Sequence, residues 1–169
     1  MNSQSANDVR NPSGESEIRA LMANWAEALE RKDVAGLTAA YVPDALLFDA
    51  IPPYKSEGVE TIRDVWNGCL PHFPERFRSE HRDLVVTMTG EMAVVHGLHR
   101  VVPEDPNHPC GNTWLRITVC FRRVEGEWKV FHEHVSLPFN PMEGTVWNIA
   151  DPDRLETPAY GESVEPNQE

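Results

Sequence analysis

The chain has 169 residues, enough for one domain with a real core, and carries 27 acidic against 15 basic residues for a formal charge of −12. That sign excludes nucleic acid and an anionic membrane surface as main partners, because both require clustered Lys and Arg. Cys69, Cys110 and Cys120 are odd in number and form no CxxC pair, which argues against a disulfide framework or a zinc ribbon and for reduced thiols in the cytoplasm.

Residues 1–14 are rich in Asn, Ser, Asp and Gly, lack the apolar centre of a signal peptide, and are read as a disordered lead-in. No apolar run approaches membrane-spanning length. Ser16 then caps a helix whose Ile18, Leu21, Met22, Trp25, Ala28 and Leu29 recur at steps of three and four, so one face is buried. Asp33 caps a second, short helix over Val34–Ala40, which stops before Pro43.

An apolar strand at 45–49 follows and ends in a carboxylate, Asp49, before the breakers Pro52 and Pro53. A carboxylate there is either a turn residue or a base held in an apolar mouth. Gly58 opens a third helix with Val59, Ile62, Val65, Trp66 and Leu70 on one side. From Arg76 the period changes to two, predicting strands at about 78–89, 92–102, 112–124 and 127–137, the last two joined as a hairpin by Glu125-Gly126. Residues 141–169 are read as an extended tail in which Val146, Trp147 and Ile149 can pin part of the chain to the body. Helices followed by a mainly antiparallel sheet make an α+β domain over 15–140.

That order brings a family into view. Asp33-Val34-Ala35-Gly36-Leu37, Tyr41-Val42-Pro43-Asp44-Ala45, Phe48-Asp49 and Gly58-Val59-Glu60-Thr61-Ile62-Arg63 together resemble the NTF2-like superfamily in its SnoaL and ketosteroid-isomerase branch. The run from Gly126 to Pro138, with Trp128, His132, His134 and Ser136, is similar to the W-x-x-x-H-x-H-x-S strand of SnoaL-like proteins. The resemblance implies an NTF2-like (cystatin-like) cone, three N-terminal helices packed on a curved, mainly antiparallel sheet around an apolar pocket. It also implies a homodimer through the outer sheet face. Carried over residue by residue, the general base falls on Asp49. The first oxyanion donor, a tyrosine in the isomerase, falls on Trp25, and the second falls on or near Thr118.

The same resemblance turns Arg116, Thr118, Phe131, Glu133 and Val135 toward the pocket. Arg116 and Glu133 then form a buried pair, or Arg116 holds a substrate carboxylate. Trp25, Tyr41, Trp66 and Trp114 match pocket-lining positions, which core aromatics would also fill. His132 and His134 point the same way, but no third ligand is marked, so they are read as structural histidines on the outer face rather than a metal site. His72, His81, Arg82 and His108 carry no motif and are assigned to the surface.

These observations together predict a small-molecule enzyme that needs no cofactor, either isomerase, cyclase, dehydratase or hydrolase. Catalysis would fall to Asp49, Arg116 and Thr118, and substrate binding to Trp25, Tyr41, Trp66, Trp114, Phe131 and Glu133. The substrate would be an apolar organic molecule with one oxygen function. A non-catalytic ligand-binding or oligomerisation module is the alternative, since the fold serves both.

Overall fold

The computed structural model describes residues 12–111 and 113–154, so the first eleven residues of the expected lead-in and the tail beyond 154 lie outside the described residues. Helix α1 spans Pro12–Glu30 and starts ahead of Ser16, with Pro12 in its first turn, where a missing N–H forfeits no hydrogen bond. Its buried stripe is Ile18, Met22, Ala28 and Leu29. The chain reverses through Lys32, at φ 55°, into α2 (Val34–Thr38). As expected, Asp33 caps α2, its Oδ1 accepting the Gly36 N–H at 3.0 Å. A side chain at Gly36 would meet the Ala28 Cβ at 2.9 Å, so glycine is what lets α2 close onto α1.

Strand β1 (Tyr41–Phe48) begins earlier than the apolar run predicts and carries Pro43 at a register shift, where a ladder donor is dispensable. A three-residue strand, β2 (Lys55–Glu57), follows the proline loop and pairs back onto β1; it has no counterpart in the sequence reading. Helix α3 (Val59–Cys69) and a short 3₁₀ turn at Leu70–His72 lead to the four long strands, β3 (Phe77–Thr89), β4 (Met92–Pro103), β5 (Leu115–Val124) and β6 (Glu127–Ser136). The sheet order is β2-β1-β6-β5-β4-β3, antiparallel throughout except for the parallel pair β1–β6. This is the α+β arrangement expected, with the helices against one sheet face.

Two irregularities aim the side chains on that face. In β6 the register jumps between Cys120↔His132 and Phe121↔Val130, inserting one extra residue at Phe131. Trp128 and Val130 therefore face inward together with Glu133 and Val135. In β3 a second bulge lies between Arg82 and Val85, with Asp83 at φ 54°. Gly97 of β4 sits under it.

The tail is tied down as far as Asp153. Phe139–Asn140 (β7) pairs with Thr145–Val146 (β8). Ile149 exchanges two hydrogen bonds with the Thr113–Trp114 segment, one from its N–H to Thr113 Oγ1 and one from the Trp114 N–H to its carbonyl, both 2.9 Å. Asp153 then pairs with Arg82. No helix among the described residues is long and apolar enough to cross a membrane.

A Cβ at Gly97 would lie 2.9 Å from the Arg82 carbonyl and 3.2 Å from that of Asp83, both backbone atoms that cannot swing aside. Gly97→Ala is expected to lower stability by about 1–3 kcal/mol, read from urea midpoints at unchanged m-value.

Candidate active site

Helices α1 to α3 and the inner sheet face line a cavity of about 1160 Å³ that is partly open to solvent. Trp25, Tyr41, Asp49, Trp66 and Glu133 all line it, so five of the nine side chains singled out from sequence share one hollow. The other four do not. Leu115, Ile117, Val119 and Phe121 form the cavity wall of β5, which turns Arg116 and Thr118 to the outer face. Arg116 is exposed there, and Thr118 lies opposite His134 and His96 in the ladder. The expected Arg116–Glu133 pair is therefore absent, because the two residues point through opposite faces. Trp114 is buried on the outer side under the Arg100 guanidinium, 4.4 Å from its ring centroid. The β6 bulge turns Phe131 outward beneath Arg122.

Glu133 instead pairs with Tyr41. The phenol O–H of Tyr41, itself buried, donates to Glu133 Oε2. Burial pushes the Glu133 carboxyl up to about 7, the Tyr41 hydrogen bond opposing the rise and the nearby Asp49 charge adding to it. Burial beside the same carboxylate raises the Tyr41 phenol well above its ordinary value. The Trp25 indole N–H leans toward the Tyr41 oxygen without reaching hydrogen-bond geometry, leaving a buried donor with no partner.

Asp49 sits one residue past the end of β1, as the strand–proline junction predicts. Its backbone N–H donates to the Tyr54 carbonyl at 3.0 Å, which closes the proline loop behind it. The half-buried carboxyl is raised by desolvation, and backbone N–H groups of Ile51 and Ala50 partly offset this.

Two histidines also line the cavity, of which the sequence reading assigns His81 to the surface and gives His99 no role in the site. His81 of β3 and His99 of β4 face each other in register, with ring centroids 5.2 Å apart. Burial lowers His81 to about 4; burial and then the His81 charge lower His99 to about 3, so both are neutral imidazoles near pH 7. His99 Nε2 lies 3.0 Å from Ser79 Oγ. The Trp25 ring packs against both histidines, at 5.9 and 5.3 Å. Among the described residues nothing hydrogen-bonds the His81 ring, which lines the cavity.

His132 and His134 flank Phe48 on the outer face, where the resemblance put them, and His132 Nδ1–H donates to the Leu46 carbonyl at 3.0 Å. Among the described residues no group of three or more His, Cys, Asp or Glu side chains could hold a metal ion.

Comparison with known proteins agrees with this architecture. A family model described as SnoaL-like domain matches residues 18–140. An NTF2-like protein of unknown function from Pseudomonas putida is 32% identical, with a TM-score of 0.78 over 84% of this chain and 99% of its own. A candidate dehydratase of the NTF2-like family from Streptomyces avermitilis aligns at 20% identity and TM-score 0.63, over 77% of this chain and all of its own. A candidate scytalone dehydratase from Novosphingobium aromaticivorans aligns at 16% identity and 0.64, over 74% and 84%. The last two likenesses carry the fold alone. Among curated proteins none is detectably similar.

The raised Glu133 carboxyl has a signed consequence for stability. A folded-state value near 7, against the ordinary 4.5 of a glutamate, means that the native state holds the proton over that interval while the unfolded chain releases it. The Glu133 contribution to stability should therefore be lost as pH rises from about 4.5 to 7, by an amount on the order of 3 kcal/mol, while the lowered His81 and His99 act in the opposite sense below about pH 6.5. The histidine contribution is common to both proteins, so the melting temperature of the natural chain minus that of Glu133→Gln is expected to fall steadily as pH rises across this range.

Proposed function

This chain belongs to the SnoaL-like family of NTF2-like proteins, and on that premise we propose that it is a small-molecule enzyme of the SnoaL and ketosteroid-isomerase type, working by acid–base chemistry in an apolar cavity. The observation that carries the reading is the coexistence, in one hollow, of two carboxyls raised by burial and two imidazoles held neutral by burial. Environments that move titratable groups away from their ordinary values are what proton transfer near pH 7 requires. A wall that needed only to exclude water would be apolar throughout.

In this reading Asp49 is the base. It takes a proton from carbon next to a substrate carbonyl, and the electron pair moves onto the carbonyl oxygen. When Glu133 carries its proton, its O–H donates to the Tyr41 oxygen, which frees the phenol proton to bond the developing oxyanion. The unpartnered Trp25 N–H is a second donor for the same oxygen. Neutral His81, in the same cavity, can hydrogen-bond a substrate hydroxyl, and a hydroxyl that leaves takes up the proton that Asp49 removed from carbon and departs as water. Isomerisation, cyclisation and dehydration are all built from these steps, and the candidate dehydratases among the structural likenesses fit the last of them.

The substrate is an apolar organic molecule with an oxygen function. Arg116 and Thr118, facing outward, have no part in binding it. We further propose a cytoplasmic homodimer, joined through the outer sheet face on which Phe48, Phe131 and Cys120 lie half-buried.

Asp49→Asn keeps the size and the loop hydrogen bonds but removes the base. It is expected to lower kcat by about 10²–10⁴-fold on the natural substrate, with an unchanged far-ultraviolet circular dichroism spectrum. Turnover equal to the natural chain would end this reading.

A further inference from the structure

The cavity extends well beyond the carboxyls. Along β6 its wall includes Trp128, Val130, Glu133, Val135 and Leu137, so from end to end it follows the strand for about 30 Å at roughly 3.3 Å per residue. Asp49, Tyr41 and Glu133 stand in the middle of that length, and the ladder register sets His81 and His99 level with its Leu137 end. Below Glu133, toward the β5–β6 turn, the lining changes character. Leu21 and Met22 of α1 face Phe121 and Val130 of the sheet, and Trp128 stands at the end. Between Glu133 and Trp128 the buried inner-face residue of β6 is Val130, and Lys129, which also borders the cavity, is held by Glu127 at 2.7 Å.

The end itself is closed by charge rather than by packing alone. Arg123 stacks its guanidinium 4.5 Å above the Trp128 ring and pairs with Glu17 of α1 at 3.1 Å, joining helix to sheet across the floor. Its remaining hydrogen bond goes to the Gly126 carbonyl, so Arg123, like Lys129 with its Glu127 partner, is already engaged within the protein.

We propose that this lower lobe is a specificity subsite that takes an unbranched apolar arm of the substrate, with Trp128, under the Arg123–Glu17 pair, setting the longest arm accepted. The inference rests on the apolar-substrate reading above and deepens it, because a compact ring system held at Asp49 would leave the lobe empty. A hollow lined by Leu, Met, Val and Phe side chains gains most from a flexible hydrocarbon that fills it, and that gain scales with the length enclosed.

A series of 2-alkanones from 2-hexanone to 2-tetradecanone tests this directly, with binding followed by intrinsic tryptophan fluorescence. Each probe is neutral, carries one carbonyl for the Asp49–Tyr41 end, and differs only in arm length. Affinity is expected to rise about fourfold per added methylene, the factor for burying one such group. The rise should stop at an arm of about ten carbons, which matches the roughly 13 Å between Glu133 and Trp128 that four regular strand steps cover once the bulge residue is discounted. Leu21→Trp, at a half-buried position on the lobe wall, should move the break at least two carbons shorter and leave 2-hexanone affinity unchanged.

Natural protein that binds none of the ketones, or whose affinity is level beyond six carbons, overturns the proposal without any variant having to fold. A break unmoved in a cooperatively melting Leu21→Trp protein overturns it as well. The series is repeated in Asp49→Asn to separate the two readings. A retained length dependence alongside undiminished turnover would end the catalytic reading alone, whereas lost turnover with no length dependence would end this one alone.

Discussion

One extra residue in a single strand decides what chemistry the cavity holds. With regular alternation, a strand that turns Trp128 and Val130 inward would continue with His132 and His134 and would expose Glu133 to water. The bulge at Phe131 reverses that parity, so the carboxyl enters the hollow and the two histidines leave it. Taking a carboxylate out of water is unfavourable unless a partner meets it, and Tyr41 supplies that partner from the neighbouring strand. The hydrogen bond recovers only part of the lost hydration. What remains appears as a proton held more firmly than a surface glutamate would hold it.

The two walls of the cavity respond to burial in opposite directions for one reason: desolvation disfavours whichever form is charged. The acids keep protons and the imidazoles refuse them, so the interior moves toward neutrality on both sides. Dipoles and hydrogen bonds in such a place act with little competition from solvent. Trp25 is the physical link between the walls, with its ring against both histidines and its N–H turned to the Tyr41 oxygen.

Much of this was legible in the residues alone. Helical spacing located α1 and α3, alternation located the four long strands, and the apolar run stopped by Pro52 and Pro53 located Asp49 at a strand end. Tyr41, Trp25 and Trp66, which the family resemblance singled out, all line the cavity. Strand β2 was hidden by its three-residue length. His81 escaped because Phe77–Asp83 is mostly polar on both faces, so alternation there says nothing about which face is buried, and only pairing with Val101 and His99 decides it. Arg116 and Thr118 are the opposite case. Leu115, Ile117, Val119 and Phe121 form an unbroken apolar alternation that marks the odd-numbered face as inner, and that local pattern was a better guide than the family register. Glu133 came out facing inward, but the bulge that puts it there leaves no mark that period counting can detect.

The sheet order carries a consequence for how the molecule is made. β1 touches the long strands only through β6, so Tyr41, Leu46 and Leu47 wait for Val130, His132 and Glu133, more than eighty residues downstream. During synthesis the three helices and β1 leave the ribosome with their apolar faces unpartnered, and the hairpins β3–β4 and β5–β6 form locally before either can reach them. The parallel seam closes last, when nearly the whole domain has emerged. Until it closes, the inner face of β1 waits for the strand that covers its edge.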